Sequence, residues 1–131
     1  MKRLLIDTNI YSLALRGQPE IVDILRHIDR IGISAISVGE LLYGFRGGSR
    51  ERKNRQELKQ FLDSPRVSLH SVDEETAEWY SAILQQLRKQ GTPIPTNDIW
   101  IAAVAMQHGL PVLTRDDHFS RIAGLLLFTP S

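Results

Sequence analysis

Apolar residues along this chain fall in short blocks whose period changes from one block to the next. Leu4, Leu5 and Ile6 run unbroken into Asp7, the pattern of a strand buried on both faces, so a strand is expected over Arg3 to Ile6. Thr8 to Leu15 reads as a helix stopped by Gly17. Pro19 opens a second helix at its preferred first position, with Ile21, Ile24, Leu25 and Ile28 as the core stripe. "IGISAIS" predicts a second strand ending near Ala35, after which Ser37 caps a helix through Leu41, Leu42 and Phe45 that Gly47 and Gly48 break. A polar helix runs to about Asp63, and "RVSLHSV" alternates as a strand does. Asp73 to Gln90 is amphipathic, with Trp79, Ile83, Leu84 and Leu87 inward. After the turn-rich "GTPIPTN", Asp98 to His108 is apolar on nearly every side, which predicts a central helix. "LPVLT" and "GLLLF" read as the last strands. Strands alternating with helices through short connections predict an α/β domain whose parallel sheet is covered on both faces.

Composition narrows the class. A chain of 131 residues, 42% hydrophobic, makes one domain over residues 1–131 with a real core. The absence of cysteine excludes disulfides, thiolate metal sites and cysteine nucleophiles, and permits a reducing cytoplasm. Lys2 and Arg3 imitate a signal-peptide start, but Asp7 cuts the apolar run too early. The longest apolar stretch, Ile99 to Met106, is far below the ~20 residues of a membrane span, so a soluble protein is expected.

Net charge is only +1, yet "RGGSRERKNRQELK" holds six of the 16 basic residues: Arg46, Arg50, Arg52, Lys53, Arg55 and Lys59. Glu51 and Glu57 alone oppose them there. One reading is a solvated helix face laced with i,i+4 pairs. The other is an arm that contacts phosphate.

Four carboxylates stand where surface charge is not expected. Asp7 and Asp116 each follow an apolar strand, and in an open parallel sheet ligands bind at the strands' carboxyl ends. Glu40 and Asp98 sit in early helical turns that can converge on that edge. Such a cluster without basic neighbours repels itself, and a divalent cation resolves the conflict. Mg²⁺ and Mn²⁺ take oxygen ligands, and a pair of ions some ~4 Å apart serves phosphodiester hydrolysis. Each residue also has an ordinary explanation. Asp7 can cap the next helix, and Ser37 with Glu40 spells the capping box S-x-x-E. Asp98 suits the positive end of a helix dipole, and Asp116 and Asp117 suit a turn. Singly, three of the four are explained that way; Asp7, with Thr8 and Asn9 behind it, is not.

The order "LLIDTN", "ISVGELLYG", "TNDIWIAAVA" and "LTRDDHF" resembles the PIN-domain ribonucleases, and within them looks most like the VapC-type toxins of type II toxin–antitoxin pairs. All four blocks, spread over nearly the whole chain, come in the family's order. The resemblance implies a three-layer α/β/α sandwich with a central, mostly parallel sheet. It implies a metal-dependent endoribonuclease whose four acids fall on Asp7, Glu40, Asp98 and Asp116 and bind Mg²⁺ or Mn²⁺. Thr8 or Asn9 is then expected to orient Asp7, with Asp117 a more variable assistant. It further implies a cytoplasmic homodimer held in check by a VapB-like antitoxin in the active-site groove, and RNA as substrate.

With four of the 15 acids assigned to the site, the remaining 11 face 16 bases, a surface suited to a polyanion. Arg50, Arg52, Lys53, Arg55 and Arg115 are the candidate RNA contacts; Arg115 can equally pair with Asp117. His27, His70, His108 and His118 show no metal-ligand spacing and are read as core or surface, and Tyr43 with Phe45 as core or interface. A receiver domain lacks its acidic pair and lysine here, and a haloacid-dehalogenase phosphatase lacks Asp-x-Asp. An inactive binding module and an RNA-maturation nuclease without antitoxin are the remaining alternatives.

Overall fold

The computed structural model describes residues 1–130. Its four strands are β1 (Arg3–Ile6), β2 (Arg30–Ser34), β3 (Val67–His70) and β4 (Val112–Leu113). Helices α1 (Thr8–Leu15) and α2 (Pro19–Arg26) link β1 to β2, and α3 (Ala35–Arg46) and α4 (Glu51–Asp63) link β2 to β3. Helices α5 (Glu74–Gln90) and α6 (Thr96–His108) precede β4, and a 3₁₀ turn spans Asp117–Arg121. The sheet is wholly parallel in the order β3-β2-β1-β4. The chain therefore winds outward from β1 through β2 to β3, then returns to lay β4 on the other side of β1. Reversal at β1 opens a crevice beyond the carboxyl ends of β1 and β4, the usual ligand position in open parallel sheets.

Alternation along β1 divides the core. Leu4 and Ile6 pack with Ile10, Tyr11, Ile21, Leu25, Leu41 and Leu58 on the side of α1 to α4. Leu5 packs on the other side with Ile83, Leu87, Ile99 and the buried run Ile101–Ala105. Three alanines in that run let α6 approach both the sheet and α5, which explains a helix with no polar flank along its middle. Each fully buried aliphatic side chain contributes roughly 1.5–3 kcal/mol. No helix among the described residues is long and apolar enough to cross a membrane.

Three boundaries differ from expectation. The N-cap of α3 is Ser34, whose hydroxyl accepts the Ile36 N–H at 3.0 Å. Ser37 is buried inside the helix, so the S-x-x-E capping box does not form and Glu40 lies in the second turn. Helix α6 begins at Thr96 after Pro95 rather than at Asp98, because the Asn97 side chain is engaged elsewhere and caps nothing. "GLLLF" does not form a full strand: it meets β4 in a single parallel bridge, Leu127 to Val112. Leu126 and Leu127 are both exposed, so no buried face holds a longer ladder.

Gly32, in the centre of β2, leaves room for the His70 ring. A Cβ there would stand 3.2 Å from two atoms of that ring and 3.2 Å from Leu5 Cδ1. His70 in turn stacks on His108, with ring centroids 4.3 Å apart. Gly32→Val is expected to lower stability by about 1–3 kcal/mol through overpacking, read from urea unfolding. An unchanged midpoint would show that the His70 ring swings away freely.

Candidate active site

Asp7 directly follows β1 and is 4% exposed. Its Oδ1 accepts the Ile10 N–H at 3.0 Å as the N-cap of α1, so the capping explanation holds as far as it goes. Its Oδ2 accepts the Thr114 hydroxyl from the end of β4. Burial pushes the Asp7 pKa above the usual carboxylate range; the two hydrogen bonds oppose that, and the charges of Asp98 and Asp116 add to it. Thr114 Oγ1 also accepts the Asp116 N–H at 2.9 Å, so one hydroxyl ties β1 to the loop after β4.

Glu40 reaches the same edge from α3. Its Oε1 accepts from Thr8 at 2.6 Å and its Oε2 from Asn97 at 3.2 Å. Ser37 Oγ lies 2.9 Å from the Thr8 hydroxyl. A hydroxyl has one proton, so with that proton given to Glu40, Ser37 donates to Thr8. Thr8 therefore orients Glu40 and not Asp7, the reverse of the expected assignment. The first residue of a helix points its side chain away from its own N-cap, here across to α3. Asn9 is exposed and makes no hydrogen bond to the four acids among the described residues.

Asp98, in the first turn of α6, and Asp116, the N-cap of the 3₁₀ turn, share a partner that sequence reasoning missed. His118 Nδ1 lies 3.0 Å from Asp98 Oδ2 and 3.1 Å from Asp116 Oδ1, and the His118 N–H donates to Asp116 Oδ1 at 2.9 Å. Spacing along the chain gave no metal-ligand pattern for His118, yet the turn capped by Asp116 folds residue 118 back over it. Burial again raises the Asp98 pKa; the His118 hydrogen bond lowers it, and Asp116 and Glu40 raise it. Asp117 is exposed and makes no ion pair among the described residues.

The four acids thus converge from β1, α3, α6 and the loop after β4, near enough that Asp7 and Asp98 each feel two of the others. No lysine or arginine pairs with any of them among the described residues. Asp98, Asp116 and His118 each present one ligand atom, all within 4.8 Å of one another. Carboxylate oxygens with one imidazole nitrogen form a donor set suited to Mg²⁺ or, better, Mn²⁺.

The basic segment lies elsewhere. Arg50, Arg52 and Lys53 are exposed, and Arg55 on α4 pairs with Glu51 one turn earlier at 2.9 Å. Arg115 pairs with Glu20 at 3.1 Å and not with Asp117. Tyr43 is 80% exposed, hence not core, whereas Phe45 packs against the core.

The PIN domain profile matches residues 4–125. Ribonuclease VapC1 of Haemophilus influenzae is 30% identical over 126 residues, covering 92% of this chain and 92% of the relative. DNA-bound VapBC from Salmonella typhimurium superposes with a TM-score of 0.88 at 28% identity over 98% of each chain. VapBC2 from Rickettsia felis, bound to a DNA fragment from its promoter, gives 0.87 at 26% identity over 96% of this chain and 97% of that one. With the profile spanning nearly every element and the acidic blocks on one sheet edge, the chain belongs to the PIN-domain family, with VapC ribonucleases among its relatives.

Proposed function

We propose that the chain is a Mg²⁺- or Mn²⁺-dependent endoribonuclease and the toxin half of a toxin–antitoxin pair. One observation carries the reading: Asp7, Glu40, Asp98 and Asp116 converge at the strand ends with no lysine or arginine paired to them among the described residues. These four would hold the metal, with His118 beside two of them. When bound, such an ion supplies Lewis acidity to a phosphodiester and lowers the pKa of water at the site. The protein's part is to fix the ligands. The Ile10 N–H and Thr114 hold both oxygens of Asp7, Thr8 and Asn97 hold both of Glu40, and His118 keeps Asp98 and Asp116 together. A single-stranded loop of RNA enters a shallow site more readily than a duplex does, so that is the substrate form.

Solved relatives include VapBC assemblies and a toxin–antitoxin complex from Klebsiella pneumoniae, and a free ribonuclease endangers its own cell. The cognate partner is therefore a VapB-like antitoxin bound to a homodimer of this chain in the cytoplasm. A planar, permanently charged guanidinium is the natural plug for a carboxylate cluster. The antitoxin's carboxyl-terminal segment accordingly directs an arginine or lysine at the four acids.

Purified protein with structured RNA tests this. Cleavage is expected with Mg²⁺ or Mn²⁺, none in excess chelator, and suppression after co-expression with the small protein encoded alongside. Cleavage that persists in chelator removes the metal mechanism. Harmless expression of an active enzyme with no complex formed favours an RNA-maturation role.

A further inference from the structure

An open cleft of about 640 Å³ leads away from the acids, sharing only Asp116 and His118 with them. One wall is α1, where Asn9 and Ser12 stand one turn apart and Arg16 follows at the C-cap. The other wall is the segment after β4, carrying Arg115 and Arg121 with the exposed Asp117 between them, and the cleft runs down to Asp116 and His118.

Little holds these guanidinium groups in place. Arg16 makes no ion pair among the described residues, and Arg121 has one long hydrogen bond, 3.4 Å to the Pro93 carbonyl. Arg115 pairs only with Glu20, and both side chains are largely exposed, 44% and 64%, so water screens the pair and an incoming anion displaces it readily. A cation at the C-terminus of α1 is favoured by the helix dipole, but that interaction leaves the guanidinium's hydrogen-bond donors free. Three forked donors on two facing walls, with an amide and a hydroxyl between, suit the oxygens of a phosphate chain. None of Arg50, Arg52, Lys53 or Arg55 lines this cleft.

Resting on the ribonuclease reading, we propose that this cleft seats the RNA backbone on one side of the scissile phosphate, through Arg16, Arg115 and Arg121 with Asn9 and Ser12. The basic face of α4 then makes no contact with the substrate near the site. The acidic floor repels a polyanion while the basic rim attracts it, so the strand is drawn along the rim and meets the carboxylates only at the bond to be cut. Sequence reasoning picks out Arg115 as a candidate RNA contact but misses Arg16 and Arg121, because Arg16 is about a hundred residues away along the chain and neither belongs to the visible basic run.

The test measures binding of a short fluorescein-labelled single-stranded oligouridylate, in the Asp98→Asn background with Ca²⁺ so that no cleavage intervenes. Arg16→Gln with Arg121→Gln is expected to weaken binding roughly tenfold and to flatten the log–log salt dependence by about 0.7 for each phosphate no longer neutralised. Arg16→Lys with Arg121→Lys keeps the charge and should keep most of the salt slope. Arg50→Gln, Arg52→Gln and Lys53→Gln together should leave the slope as it was. An unchanged slope in the Arg16/Arg121 glutamine variant, or equal losses in the glutamine and lysine variants with a lowered melting temperature, overturns the proposal. Polyglutamate displacing the oligomer as well as unlabelled RNA does so too, and gives the cleft to an acidic protein. Absence of metal-dependent cleavage by the parent chain is a separate result and removes the ribonuclease reading itself.

Discussion

Asp98→Asn is expected to abolish RNA cleavage while making the metal-free protein harder to melt. The two effects share one cause. Asp98 is half-buried beside Asp116 and Glu40, and burial with those charges holds its pKa above the usual range. Removing the charge removes repulsion that the metal-free fold otherwise carries, and asparagine keeps the shape and an oxygen for His118. A gain of about 2–5 °C in Tm is the scale for a change near 1 kcal/mol in a domain of this size. In the proposed mechanism the same carboxylate is needed, and losing a group that stabilises charge at a reacting phosphate reduces kcat by about 10²–10³-fold or more. Asp7→Asn, Glu40→Gln and Asp116→Asn should lose activity similarly. In Asp7→Asn the amide retains an oxygen for the Ile10 N–H, so the α1 cap survives. Near-normal cleavage by any two of the four variants, measured with saturating Mn²⁺, would show that the site is elsewhere.

Stability of the metal-free protein should fall as pH rises, and a divalent cation should reverse the fall. Asp7 and Asp98 have folded pKa values raised above the ordinary aspartate value of 3.8, by burial first in each case. Between that value and the raised ones the folded state keeps protons that the unfolded chain has released. Where the folded state binds more protons, stability decreases with pH, and the full penalty is present above the raised values. Metal replaces those protons and binds only the folded site, adding about 2.7 kcal/mol at a hundredfold excess over its Kd. Melting curves across the acid-to-neutral range, in chelator and in Mn²⁺, should therefore diverge as pH increases. Asp73 and His70, both held below their usual ranges, also titrate. Neither contacts the four acids, so subtracting the Asp98→Asn curve removes their contribution. A difference curve that is flat, or of opposite sign, rejects the shared-charge account.

Local pattern carried most of the fold. The unbroken run before Asp7 and the stripe from Ile21 to Ile28 each report their own surroundings, because burial acts on each residue where it stands. Errors arose where two local signals competed or where the partner is distant. Ser34 and Ser37 both suit an N-cap; the choice fell to Ser34 because Ser37 turns inward towards Thr8, a contact spanning 29 residues. Thr8 seemed bound to serve Asp7 by adjacency, and Thr114, which does serve it, lies 107 residues away. Asp7 and Asp116 could be read from the strand ends they follow and Asp98 from its helix start, whereas Glu40 lies a turn further into α3 than expected. The hydroxyl, amide and imidazole that hold them could not, because only the pairing of β1 with β4 and the packing of α6 against α3 bring those groups near.

That pairing also governs when the cluster of acids is complete. Thr114 and Asp116 follow β4, which joins the sheet only by lying against β1, more than a hundred residues back along the chain. A growing polypeptide can form β1, β2 and β3 with their helices and still lack both the residue that steadies Asp7 and the last acid. On the toxin reading proposed above, activity then waits for a late step in folding, the docking of the two-residue β4 on β1. On the same reading, the proposed antitoxin has until that step to be in position.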